Sequence, residues 1–225
     1  MNPTGLKDGI IQSNHHFIVY NKPAGMAVQS VHHKEESLES KLAQYCKTKL
    51  YLIHRIDQPC SGLVLFTKKK TGAGLINEQL KNQEVERIYL AVVQTKPEPE
   101  AGTLHHFLFA HKKSNKSFVV DEGHKEGKAA QLHYQWLGTS GGNHLLMIRL
   151  KSGRHHQIRA QLAAIGSPIK GDVKYGAKKY NEDGRIHLHA WKLKFSHPAN
   201  GSPVSFEAPI PEEATWQSLT AFVPS

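Results

Sequence analysis

His54-Arg55-Ile56-Asp57 sets an imidazole, a guanidinium and a carboxylate within four residues, at the end of the apolar run Tyr51-Leu52-Ile53. Pro59-Cys60-Ser61-Gly62 reads as a turn, and Leu63-Val64-Leu65-Phe66 resumes the apolar pattern. Ionisable groups pinned between two segments that read as buried strands are costly without partners, and such placements concentrate at functional sites. Asp57 is therefore the first candidate for a catalytic carboxylate.

A second cluster, Gly153-Arg154-His155-His156-Gln157-Ile158-Arg159, lies where a strand passes into a helix. Backbone N–H groups and arginines there can converge on an anion. Arg159, beside Ile158 and Leu162, is expected to be partly buried and to need a carboxylate, for which Asp57 is one candidate. The same residues also read as a helix N-terminus bearing solvated cations. Gly171-Asp172-Val173-Lys174-Tyr175-Gly176 reads as a tight loop in which Asp172 makes local hydrogen bonds. Tyr89, in Arg87-Ile88-Tyr89-Leu90-Ala91, shares a strand face with Arg87 and Ala91 by alternation. Strand tyrosines mostly pack, but one near an acidic site can stack on a planar base.

Other chemistries find no support. The histidine pairs His15-His16, His32-His33, His105-His106, His155-His156 and His187-x-His189 lack zinc spacing, and neighbours on a strand point to opposite faces, so no metal site is expected. Neither a phosphate loop nor a dinucleotide fingerprint occurs, which argues against a nucleotide cofactor, and no Gly-x-Ser-x-Gly elbow accompanies Ser61-Gly62. Lys+Arg 29 against Asp+Glu 19 gives a formal charge of +10, which favours a polyanionic partner. Cys46 and Cys60 form no disulfide framework, and neither a signal pattern nor an apolar run of membrane-spanning length appears. A soluble cytoplasmic protein is the expectation.

The elements that must position these groups alternate between strand and helix. Strands are predicted at Phe17–Tyr20, Leu63–Thr67, Ile88–Val93, Leu104–Phe109, Ser117–Val120, Ala130–Leu137, His144–Leu150, His187–Phe195 and Val204–Ala208. Helices are predicted over about Ser37–Lys47, with Leu38, Leu42 and Tyr45 at helical spacing, and about Thr71–Asn82, with Leu75, Ile76 and Leu80 near one face. Two more are expected at about His155–Ile165, with an Ile158, Leu162, Ile165 stripe, and Glu212–Phe222. Lys96-Pro97-Glu98-Pro99-Glu100 is the best internal boundary. The sum is α+β with strands in the majority, and 39% hydrophobic content suffices for one domain or two fused lobes.

Five of these segments, in this order, resemble the RluA-type RNA pseudouridine synthases. They are Asn21-Lys22-Pro23-Ala24-Gly25; His54 to Asp57 with Cys60-Ser61-Gly62; Arg87 to Ala91; Gly153 to Arg159; and Gly166 to Gly176. Leu188-His189-Ala190 and Phe195-Ser196-His197-Pro198 also look like the family's closing strand. Ile56, Gln58 and Cys60 depart from the usual leucine, arginine and threonine.

The resemblance implies a mixed, mainly antiparallel sheet with flanking helices, in one catalytic domain over residues 1–225 with an extension at 1–14 and no separate RNA-binding domain. It implies isomerisation of uridine to pseudouridine in rRNA, tRNA or both, by a monomer without a cofactor or a membrane partner. Asp57 would be the nucleophile or base, Arg159 its ion-pair partner and Tyr89 the residue stacked on a flipped uracil. Arg55 would fill the space that the base vacates. His54, Arg154, His156 and Gln157 join Arg55 as expected RNA contacts. The competing reading is a non-catalytic RNA-binding or ribosome-assembly factor. Asp57, Tyr89 and Arg159 occurring together argue against it, because binding phosphate needs no carboxylate.

Overall fold

The computed structural model describes residues 3–30 and 36–224, so His32 and His33 lie outside it. In chain order the elements are α1 (Pro3–Lys7), β1 (Ile10–Ser13), β2 (Phe17–Lys22), α2 (Leu38–Cys46), β3 (Tyr51–Leu52), β4 (Ser61–Thr67) and α3 (Lys70–Lys81). Then come β5 (Glu86–Val93), β6 (Ala101–His111), β7 (Lys116–Val120), β8 (Lys128–Ser140), β9 (Asn143–Leu150) and α4 (Gln157–Ala164). A 3-10 turn (Val173–Tyr175), β10 (Leu188–Ser196), β11 (Pro203–Glu207), α5 (Ala214–Gln217) and a second 3-10 turn (Thr220–Phe222) complete the chain. Every predicted strand is present. The predicted last helix is split into α5 and the 3-10 turn, and α1, β1, β3 and the turn at Val173 are additions.

The described residues form two compact units. One runs to Arg87 and includes Ala190–Ala208; the other comprises Ile88–His189 and the residues from Pro209 onward. The chain therefore passes between units inside β5 and inside β10, not at the Lys96–Glu100 segment. A regular strand has no composition shift to mark such a boundary.

In the first unit β2 pairs antiparallel with β1 and with β4, β3 pairs antiparallel with β4, and β10 pairs antiparallel with β11. β4 neighbours β10. Alternate residues of three strands, Phe17 and Val19, Leu63 and Leu65, Leu193 and Phe195, share one core with Ala73 and Ile76 of α3. The buried side of α3 is Gly72, Ala73 and Ile76, while Leu75 is exposed. Likewise Leu38 and Leu42 of α2 are buried and Tyr45 is exposed. Tyr45 keeps the helical spacing of Leu38 and Leu42, and Leu75 lies three residues after Gly72, so spacing by itself does not mark either side chain as exposed. Ser37 caps α2 in a reciprocal box with Ser40, which sets where that helix starts.

Gly62 explains the Ser-Gly pair ahead of the β4 apolar run. Its φ is +111°, and a Cβ there would stand 2.3 Å from the Ala190 carbonyl oxygen. Only glycine permits that approach of β4 to β10.

In the second unit the strand order is β5-β9-β8-β6-β7. β6 pairs antiparallel with both β7 and β8, and β8 with β9. Leu108, Ala130, Leu132, Tyr134 and Ile148 are buried on the face where Leu108 and Ala130 join a cluster with Ala160 of α4 and Tyr175. α4 is not the one-sided amphipathic helix that its sequence suggests. Gln157, Ile158, Arg159, Ala160, Gln161 and Leu162 are all buried, so its polar residues must find partners inside the protein.

Candidate active site

Asp57 lies in the irregular segment between β3 and β4, anchored at both ends by apolar side chains. Ile53, Ile56 and Cys60 are buried, and Ile53 N–H donates to the Leu65 carbonyl at 3.0 Å. The Cys60 amide closes the turn onto the Asp57 carbonyl at 3.0 Å. Asp57 is half-buried, and Arg55 and Gln58 are exposed.

A lysine fixes this loop. Lys22, the last residue of β2, is fully buried, and its ammonium donates to the carbonyls of Pro23 (2.9 Å), Met26 (2.8 Å), Gln58 (3.2 Å) and Cys60 (2.6 Å). The Gly25 amide donates to the Gln58 carbonyl at 2.8 Å, and the Gln58 side-chain amide returns a bond to the Gly25 carbonyl at 3.1 Å. The Lys-Pro-x-Gly turn and the Asp57 loop are thus stitched into one piece. Removal from water pushes the Lys22 pKa down to about 8, while the Cys60 and Asp57 side chains act in the opposite direction. Sequence reasoning quoted this lysine without a role. The available signal was a lysine closing an otherwise buried strand directly ahead of Pro-x-Gly.

His54 is no phosphate-binding cation. Both ring nitrogens are buried without a hydrogen-bond partner, and burial, with a contribution from Arg87, pushes its pKa down to about 3. It stays neutral at physiological pH.

In the second unit Tyr89 is buried in β5. Arg159 is 4% exposed, and its observed carboxylate partner is Asp172. Nε donates to Oδ2 at 2.7 Å and Nη2 to Oδ1 at 2.8 Å, a two-pronged pair in which Asp172 is itself 1% exposed. Burial excludes the solvated-cation reading of Arg159. It also corrects the reading of Asp172 as a residue of local turn chemistry, because its carboxylate is spent on a helix 13 residues earlier. The guanidinium also lies 4.9 Å from the centre of the Tyr175 ring.

Around this pair the chain builds a rigid frame. The Tyr175 hydroxyl accepts from the Ser117 amide at 2.7 Å and meets His156 Nδ1 at 2.9 Å. His156 takes a left-handed conformation with φ of 51° at the start of α4. Gln157 is buried, and its amide is divided among Arg154 N (3.0 Å), Ser152 Oγ (2.9 Å) and the Gln131 carbonyl (3.0 Å). The sequence groups Gln157 with the RNA contacts; the structure makes it scaffold. Arg154 is exposed and donates through Nε to the Ala129 carbonyl at 2.9 Å. Among the described residues no group of histidine, cysteine and carboxylate side chains could hold a metal ion.

An antiparallel-rich α+β chain with a tethered aspartate loop and a buried arginine–aspartate pair at a helix start matches one family of RNA-modifying enzymes. The RNA pseudouridylate synthase pattern covers residues 16–164, and the chain belongs to that family. It is an isomerase that makes pseudouridine in RNA. An RNA pseudouridine synthase of Bacillus subtilis is 35% identical over 205 residues, covering 87% of this chain and 67% of the relative. Ribosomal large subunit pseudouridine synthase C of Buchnera aphidicola is 29% identical over 222 residues, covering 92% and 68%. Human RNA Pseudouridylate Synthase Domain Containing 4 shares the fold, with a TM-score of 0.75 at 22% identity over 93% of this chain and 91% of that one.

Proposed function

We propose that Asp57 is the nucleophile or base that isomerises a flipped uridine in rRNA or tRNA. The observation that carries this reading is the buried Lys22 ammonium, which holds the Asp57 loop through the Gln58 and Cys60 carbonyls. A carboxylate that must meet one sugar or ring atom needs such a fixed mount, since misplacement by about 1 Å can cost two orders of magnitude in rate.

The reaction breaks the N1–C1′ bond of uridine and makes a C5–C1′ bond, with the C5 proton lost and a proton gained at N1. Tyr89 takes the role of ring partner to the uracil and assists removal of the C5 proton. Arg159 takes the role of electrostatic support for the Asp57 carboxylate, as the family resemblance implies. Arg55 is exposed beside Asp57, which suits a side chain that replaces the everted base in the stack. Eversion itself costs a few kcal/mol, supplied by contacts to flanking phosphates.

The test is Asp57→Asn, incubated with uridine-labelled rRNA and tRNA. Conversion to pseudouridine is expected to fall by at least about a thousandfold (roughly 4 kcal/mol in barrier), with RNA affinity and melting temperature near wild type. Turnover close to wild type would remove Asp57 from the mechanism.

A further inference from the structure

The four strands β6, β7, β8 and β9 have one face turned toward α4 and another that, among the described residues, the last 3-10 turn covers only around Gly138 and Leu145, through Phe222. Register defines the second face. Phe109 is paired with Phe118, His111 with Lys116, Thr103 with His133, and His133 in turn with Arg149. Thr103, His105, His111, Gln135 and Arg149 are exposed there, whereas their neighbours Leu108, Leu132, Tyr134 and Ile148 are buried on the α4 side.

Two features give this face a chemistry. At one end lies an aromatic cluster: Phe109 is 4.8 Å from His124 and 6.0 Å from His111, and His111 is 6.3 Å from Phe118, ring centre to ring centre. Phe118 is 42% exposed, although core-forming phenylalanines elsewhere in the chain, such as Phe17 and Phe66, are sealed. Lys116 Nζ stands 5.3 Å from the Phe118 ring, and Lys112 and Lys113 occupy the adjoining turn. At the other end is a depression of about 370 Å³ lined by Thr103, His133, Gln135, Met147 and Arg149. That volume falls at the low end of small-ligand sites.

The charge is one-sided as well. None of the four strands contains an Asp or Glu; the carboxylates at their margins are Glu98 and Glu100 ahead of β6, the latter paired with Lys96, and Asp121, Glu122 and Glu126 in the connection between β7 and β8. Phe109 lies six residue steps beyond Thr103 along β6, so the two ends stand roughly 20 Å apart. That is the span of a few extended nucleotides. Aromatic rings, amide and guanidinium donors and the absence of carboxylates on an open antiparallel sheet together suit unpaired bases and the phosphates between them.

We propose that this outer sheet face is a second RNA-binding platform, on which a single-stranded segment of the substrate stacks a base on Phe118 and places a phosphate against Arg149. It rests on the reading of the chain as an RNA-modifying enzyme and adds a contact surface on the side of the sheet away from Arg159. The platform supplies affinity for flanking nucleotides and takes no part in bond making.

The experiment measures binding of a fluorescein-labelled oligouridine of about twelve nucleotides to the wild type, Phe118→Ala and Arg149→Ala, across a salt series. Both side chains are exposed, and thermal melting checks that each variant is folded. Each variant is expected to bind at least about fivefold more weakly, with pseudouridine formation at saturating RNA unchanged. Arg149→Ala should also flatten the slope of log affinity against log salt by about 0.7, the loss of one phosphate contact, while Phe118→Ala leaves the slope unaltered. Wild-type affinity and slope in both variants, with the wild type binding and converting RNA, would overturn the platform alone. A wild type that neither binds nor converts RNA would sink the underlying reading too. A change of oligomeric state in Phe118→Ala at unaltered RNA affinity would assign the face to a second copy of the chain and overturn the proposal.

Discussion

Arg159 and Asp172 meet as two parallel hydrogen bonds, 2.7 and 2.8 Å long, with both side chains withdrawn from water. The pair lies in enclosed surroundings, since α4 is buried through its first six residues. The pair converts an expensive buried cation into a fixed donor array whose orientation is set from below by Tyr175.

Breaking that pair from either side should be costly. Asp172→Ala is expected to destabilise the protein by about 3–5 kcal/mol, because it removes the two-pronged carboxylate partner of a buried guanidinium. Arg159→Ala should lower pseudouridine formation more than tenfold, about 1.4 kcal/mol in barrier. The double variant should lose less stability than the two single losses combined. Denaturant melts of the three variants check this; full additivity would mean that the residues act independently.

Lys22→Met keeps the bulk of the side chain and removes the ammonium that four carbonyls share. Orphaned buried carbonyls should cost about 2–4 kcal/mol in total. The Asp57 loop should also exchange its amide protons faster, and turnover should fall while RNA affinity holds. Unchanged exchange at Cys60 would show that the lysine does not hold the loop.

His54 makes stability pH-dependent. Its pKa in the folded protein is about 3, against an ordinary value of 6.5, so between those values the unfolded chain binds a proton that the folded chain does not. Stability from this group is therefore complete above pH 6.5 and falls as the pH drops, by about 1.4 kcal/mol per pH unit at the steepest. His54→Leu should flatten the stability profile between pH 6.5 and 5.5, where carboxylates contribute little. Identical slopes for variant and wild type would show that His54 titrates normally.

Gly62→Ala tests the approach of β4 to β10. A methyl group would collide with the Ala190 backbone at a φ that L-residues avoid. A loss of more than about 3 kcal/mol is expected, read by thermal or chemical denaturation. A stable variant would mean that the two strands separate readily.

What the chain declared in advance was local. Apolar runs bounded by Pro, Gly and charge located every strand from β2 to β11 apart from the two-residue β3, because alternation and turn chemistry act over a few neighbours. The ordered motifs placed Asp57, Tyr89 and Arg159 in a family whose pattern covers residues 16–164. What needed the tertiary structure was partnership across distance. A lysine ahead of Pro-x-Gly gives no hint that it binds the carbonyls of Gln58 and Cys60, 36 and 38 residues later. An aspartate among glycines looks like a turn residue until its carboxylate is found on α4. The resemblance put Gln157 and His54 among the RNA contacts, yet Gln157 and both His54 ring nitrogens are buried, because burial depends on what packs from elsewhere. Hydrophobic spacing reports which side of an element faces inward; it carries no information about an element such as α4 that is enclosed on nearly every side.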